Sequence, residues 1–275
     1  MPTFTRTITA FLDGPDSPDI SNPIHSTAVA TEYGFKAALV GGVTVYGWCT
    51  PPIIESLGER WLDDGWADVS FRRPVYPGDV MTVTISPTSA DGAGLLMTND
   101  RGERCLVGEV GVGTGPWSSA FMRSAWTVAE PRPVAVPYLT LDDAPVGQDL
   151  RPMPVPFSRE QAIAYATDLQ RDTHGRWGGE RPRLHPGWLA ARMTPMIHHS
   201  YDYAPAIHTH SRVQHLAPGY AGQTVTVTGH FVRAYEEKGH HYAVVDGSIL
   251  GRMGRRLRAS VTRPSSARRS GGEPW

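Results

Sequence analysis

The sequence predicts an α+β chain made of two copies of one unit, each a long helix wrapped by antiparallel strands. Three observations carry that expectation. Apolar residues make up 40% and charged residues 19% of the 275 residues, which is the balance of a folded chain long enough to bury a substantial core. The strand signals alternate with period two, as in VMTVTIS over 80–86, the pattern of a sheet with one buried face. The second half also repeats the first at one constant shift of 144 residues: Thr50-Pro51 meets Thr194-Pro195, Val69 meets Val213, and Thr82-Val83-Thr84 meets Thr226-Val227-Thr228. A single shift spanning a helix and two strands marks an internal duplication.

Taken in order, residues 4–12 fit a strand or the first turn of a helix. Pro15, Asp16, Ser17 and Pro18 form a loop. Residues 26–33 read as a short helix stopped by Gly34. Residues 42–63 are long enough for a central helix, which Pro51 and Pro52 either kink or restart, with Thr50 as the N-cap. Strands are predicted at 66–75, 80–86, 94–98 and 104–112, with a turn at Pro77-Gly78-Asp79. Residues 130–156 hold seven prolines and no period, so a linker is placed there, between a first unit at 1–129 and a second at 157–263. Ser158 and Gln161 make a capping box for a helix running to Leu169. The polar, Gly/Ser-rich stretch 264–275 reads as a disordered tail.

A net charge of −1 gives no electrostatic reason to expect nucleic acid or an anionic membrane as partner. Cys49 and Cys105 sit in apolar surroundings and read as buried thiols, not as a disulfide or a zinc site. The N-terminus lacks a basic start followed by an apolar core, and the longest weakly polar run, 37–49, falls short of a membrane span. The expected location is cytoplasmic.

Chemistry concentrates between Asp19 and Gly42. Asn22-Pro23-Ile24-His25 is a polar loop carrying a histidine, with the Asp19 carboxylate upstream. Gly41-Gly42 opens the central helix without a side chain to bar a ligand, and free amides at a helix start attract developing negative charge. A histidine and a carboxylate beside such a start are the minimum for acid–base chemistry next to an oxyanion site. The competing readings are structural: a loop histidine bonded to a carbonyl, an Asn22 cap, and glycines serving close packing. The histidines of the second half match no metal-ligand spacing, and His208 and His210 alternate along one strand, which suits a solvated or interface role. At the shift of 144, His25 falls on Leu169 and Gly41 on His185, so the second unit carries no second NPIH loop.

The order NPIH, GF, a small-residue helix start and VSFRRPVYPGD resembles the MaoC-like (R)-specific enoyl-CoA hydratases and 3-hydroxyacyl dehydratases of the hot-dog fold. With LHPGWL, IHTHSRVQHLAPGYAGQTVTV and YEEKGHHYAVVD, the duplication resembles the double hot-dog members over 5–262. The resemblance implies a substrate held as a thioester on coenzyme A or acyl carrier protein and reversible syn addition of water across its 2,3 double bond; no cofactor or metal is expected. On these matches His25 is the catalytic histidine, Asn22 the asparagine of the NP pair, and Gly42 the amide donor at the helix start, with Gly41 in place of a histidine. The family pattern sets its aspartate two residues before the asparagine, where this chain has Ile20. Asp19 is the nearest upstream carboxylate and Asp16 its rival in the loop. The expectation is that Asp19 and His25 face each other across a cavity ending at the Gly42 amide. Two rivals stay open: a thioesterase using a carboxylate-activated water, and an acyl-thioester-binding protein without catalysis. A homo-oligomer through exposed sheet or helix faces is the remaining partner expectation.

Overall fold

The structure is a computed structural model that describes residues 2–20, 22–203, 205–251 and 256–266, with side chains through residue 257. The strands of the first half are β1 (Phe4–Thr9), β2 (Gly65–Phe71), β3 (Val80–Pro87), β4 (Gly92–Thr98) and β5 (Arg104–Val112). Those of the second are β6 (Asp149–Phe157), β7 (Ala206–His215), β8 (Gln223–Glu237), β9 (His240–Leu250) and β10 (Arg256–Ser266). They form one 10-stranded sheet in the order β1-β3-β4-β5-β2-β7-β10-β9-β8-β6. Each half uses the same strand order, mirrored about the middle, so the duplication read from the sequence is a double hot-dog.

The halves join where β2 pairs antiparallel with β7, from Trp66 opposite Gln214 to Ser70 opposite His210. Alternation sorts the two faces. Val69 and Val213 point inward and are fully buried. On the outer face Asp68 accepts from Arg212 Nε at 2.9 Å and lies 2.7 Å from His210 Nε2.

The helices are α1 (Thr27–Glu32), α2 (Gly42–Gly47), α3 (Thr50–Leu57), α4 (Trp61–Asp64), α5 (Arg159–Ala164), α6 (Pro186–Ala190) and α7 (Met193–Ser200), of which α2, α3, α4 and α7 pack on the sheet. The central helix expected over 42–63 is thus three pieces. Pro51 and Pro52 lack the amides to continue the first piece and fill the opening turn of α3, whose N-cap is Cys49 in place of Thr50. The capping box of α5 forms, with Ser158 Oγ accepting from the Gln161 amide at 3.2 Å. α3 is wrapped by a core that includes Ile53, Met81, Ile85, Met97 and Leu106, and α7 by one with Val227, Phe231 and Ile249. No helix among the described residues is long and apolar enough to cross a membrane.

Two segments depart from the sequence expectation. β6 lies in the stretch that proline content assigns to a linker, and it contains Pro152, Pro154 and Pro156. At the sheet's edge a strand needs ladder bonds on one side alone, so prolines are tolerated. β10 runs through Ser266, past the start of the expected tail, because β7 offers it a pairing edge down to Ala206. The rest of that tail, 267–275, lies outside the described residues.

α2 and α6, one from each half, cross where a Cβ on Gly187 would lie 3.0 Å from Gly47 Cα and 3.0 Å from Tyr165 Oη. Gly187→Val should therefore destabilise the chain by about 1–3 kcal/mol, the usual cost of overpacking. Chemical denaturation measures this, and an unchanged midpoint would mean that the crossing has slack.

Candidate functional site

Pro23–His25 forms one 3-10 turn with proline in its first position, anchored by Ile24 packing among Ala30, Tyr33 and Leu39. That turn delivers His25. Its Nδ1 lies 2.7 Å from the Leu39 carbonyl oxygen, which can only accept, so Nδ1 carries the proton and Nε2 presents its lone pair. Asn22 Nδ2 sits 3.3 Å from that Nε2 and also donates to Ala206 O at 2.9 Å. Asn22 Oδ1 in turn accepts from the Ala206 amide at 3.2 Å. Asn22 makes no side-chain cap; it fastens the histidine loop to the first residue of β7 in the other half.

His25 and Asn22 line a cavity of about 460 Å³ that also takes in Gly41, Gly42 and Val43. The backbone ladder of α2 starts with the Thr44 amide donating to Gly41 O at 2.9 Å, so the Gly42 and Val43 amides have no acceptor within the helix. The structure thus brings together four of the five residues singled out from the sequence: His25, Asn22, Gly41 and Gly42.

Asp19 is the fifth, and it does not join them. It is exposed, its amide lies 3.3 Å from Ser17 Oγ, and its carboxylate takes no part in the cavity wall. The expected Asp19–His25 pairing is therefore wrong. Pro15, Asp16 and Pro18 are exposed as well, and Asp19 stays with this outer loop. The rival Asp16 is occupied elsewhere: it takes the Thr27 hydroxyl and amide, both at 2.6 Å, at the start of α1, and these bonds hold its carboxyl below the usual range.

The carboxylate that does line the cavity is Asp13, which the motif reading misses. Its Oδ2 accepts from Thr44 Oγ1 at 2.5 Å and lies 3.0 Å from where a Cβ on Gly41 would stand. Gly41 is what leaves room for it. β1 runs antiparallel to β3, and the Ala10 amide donates to Asp79 O at 2.8 Å, which pins the chain just before Asp13. The available signal is a carboxylate directly after a strand and before Gly14-Pro15, a weak one without knowledge of that pairing.

In the second half the corresponding helix start is filled. His185 Nδ1 accepts from the Gly187 amide at 3.0 Å, so Nε2 carries the proton and faces Asp172 Oδ2 at 3.3 Å. Gln170 lies fully buried against Gly47 of α2 and donates to Tyr165 Oη at 3.0 Å. Burial pushes the His185 pKa down, and Asp172 only partly offsets it. Burial also opposes ionisation of Asp172, but hydrogen bonds from His185 and the His174 amide outweigh it and hold its carboxyl low.

No family model and no curated protein matches the sequence. The fold has solved counterparts. A structure described as a MaoC-like dehydratase is 17% identical with a TM-score of 0.57, over 90% of this chain and 90% of its own. A conserved hypothetical protein from Mycobacterium tuberculosis with a double hotdog fold is 13% identical with a TM-score of 0.56, over 86% and 84%. A protein assigned as an oleoyl thioesterase, from Lactobacillus plantarum, is 9% identical with a TM-score of 0.51, over 97% of each chain. At these identities the likeness establishes the double hot-dog fold, on which both dehydratases and thioesterases occur.

The buried His185–Asp172 pair predicts acid sensitivity. The unfolded chain takes up a proton at His185 near its ordinary value of 6.5, whereas the folded chain resists it until lower pH. That contribution is present in full above 6.5 and is lost as pH falls from there to the depressed folded value. Asp172 acts in the same sense below its ordinary 3.8. Denaturation across a pH series should show stability declining from about 6.5 downward, less steeply in His185→Gln. Equal slopes in the two proteins would rule out a shifted His185.

Proposed function

We propose that the chain is a hydro-lyase that adds water to, or removes it from, the 2,3 bond of an acyl thioester. The observation that carries this reading is the fixed tautomer of His25, whose basic Nε2 lies in a cavity shared with the Asp13 carboxylate and the Gly42 and Val43 amides. In the dehydration direction His25 takes the C2 proton, and the electron pair moves toward the thioester oxygen held by those amides. The C3–O bond then breaks. On one face of the substrate a single imidazole can return that proton to the departing oxygen, so one water leaves and His25 is restored. Asp13 orients that water. With Asp19 outside, a non-catalytic binding protein would be the better reading if the cavity held no other carboxylate; Asp13 is the reason to propose a reaction.

Two further features fit such a substrate. A second, apolar cavity of about 100 Å³, lined by Leu139, Tyr203, Phe231 and Ala243, shares Ala206 and Tyr242 with the first and suits an acyl tail. Arg72 and Arg73, both exposed, line the larger cavity and suit the phosphates of coenzyme A or the phosphate of the phosphopantetheine arm of acyl carrier protein. Asp13 also favours a second reading: a carboxylate beside amides that hold a thioester oxygen can direct water at the carbonyl carbon, which is thioesterase chemistry.

The test follows the enoyl absorbance and free thiol in parallel, with crotonyl-CoA and 2-decenoyl-CoA. Loss of absorbance without thiol release is the expected result. Thiol release in step with the loss of absorbance would replace the proposal with the thioesterase, and binding without either with the non-catalytic protein. His25→Ala should lower turnover about a hundredfold or more, the usual weight of a positioned acid or base, and Asp13→Asn should lower it clearly through loss of the water's orientation. Asp19→Asn should change it little. A loss at Asp19 equal to that at Asp13 would overturn the assignment of the carboxylate.

A further inference from the structure

The inner face of β7 carries Ser211, Val213 and His215, all buried, while His210 and Arg212 point outward to Asp68. Strict alternation would put His208 outside with His210, as the sequence pattern predicts. It is not outside. The register between β10 and β7 slips at this point: Arg263 pairs with His210 and Pro264 with His208, leaving Thr209 as the extra residue of a bulge. One extra residue moves every preceding side chain to the opposite face. His208 thereby lines the cavity of His25 and Asp13. Its Nε2 lies 2.6 Å from Ser211 Oγ, and its ring stands edge-on to Phe71 at 5.2 Å between centroids. Its Cβ is 3.2 Å from where a Cβ on Gly42 would be, so glycine there is what admits it.

We infer that His208, supplied by the second unit, is a second proton-carrying residue of the site, set beside the helix start to polarise the acyl carbonyl oxygen. The bulge interrupts the ladder, and what it provides at this position is an imidazole next to Gly42. The seat is built from both sides, with Ser211 and Phe71 orienting the ring and Gly42 leaving the space. As His25 withdraws the C2 proton, charge accumulates on the thioester oxygen, and a donor at that oxygen lowers the barrier without forming a covalent bond. Ser211, which touches the ring and not the substrate, is a positioning residue.

The inference rests on the hydro-lyase reading, and the experiment separates the two. Turnover of crotonyl-CoA is measured against pH for the full chain, His208→Ala and His208→Gln, together with binding of butanoyl-CoA, a saturated probe that cannot react. His208→Ala should lower kcat about tenfold to a hundredfold and remove one arm of the pH profile, with butanoyl-CoA binding changed less than about threefold. His208→Gln, which keeps a donor, should recover part of kcat without the pH arm. In the unsubstituted protein labelled with 15N-histidine, the side-chain resonances of His208 should move when butanoyl-CoA is added. An unaltered kcat in His208→Ala, or equal losses in kcat and binding, overturns the assignment. If crotonyl-CoA is not turned over at all but the His208 resonances shift, the hydro-lyase reading fails and His208 keeps its place at the carbonyl. Turnover with stationary resonances removes His208 from the carbonyl and leaves the hydro-lyase standing.

Discussion

The architecture depends on one edge-to-edge contact, the antiparallel pairing of β2 with β7. Without it each half would expose a row of unpaired backbone groups along a strand, a costly and aggregation-prone edge. With it, one continuous sheet carries both helical layers on its inner face, and α2 meets α6 across the middle at the glycine contact between Gly47 and Gly187. The seam also places the first residues of β7 against the loop of the first half. Ala206 is where both meet, through two hydrogen bonds to one asparagine side chain.

The site is consequently composite. The histidine loop and the helix start come from the first half, the carboxylate from the exit of β1, and a wall with Ala206, His208 and Tyr242 from the second. Small side chains decide what can gather there. Gly41 leaves the space that Asp13 enters, and Gly42 the space beside which His208 and Phe71 pack. The counterpart in the second half shows what happens otherwise. His185 stands where Gly41 would be, caps α6 with its own ring, and is buried against Asp172. Two copies of one fold thus carry one open cavity with a histidine and a carboxylate, and one buried polar cluster.

Local and periodic features were legible in the sequence. The duplication, the alternating strands, the capping box at Ser158 and the NPIH turn all rest on interactions between residues near one another in the chain, or on a repeat that a single shift exposes. The histidine and the glycine pair were legible for the same reason, since a proline-led turn and a side-chain-free helix start are local statements. Pro152, Pro154 and Pro156 misled because their meaning depends on whether a strand lies at an edge or in the middle of a sheet, which is a question of neighbours.

What the sequence determined by itself was the type and repetition of the elements, because hydrophobic period and turn chemistry act within a few residues. Only the tertiary structure decided which carboxylate shares the cavity with His25. Asp19 is close in sequence but stays with its exposed loop, and Asp13 is brought in by the pairing of β1 with β3. It likewise decided the face on which His208 stands, because a bulge is a property of two paired strands and one extra residue reverses the alternation. Register and chain direction are settled between segments far apart in the chain, and the membership of the site follows from them.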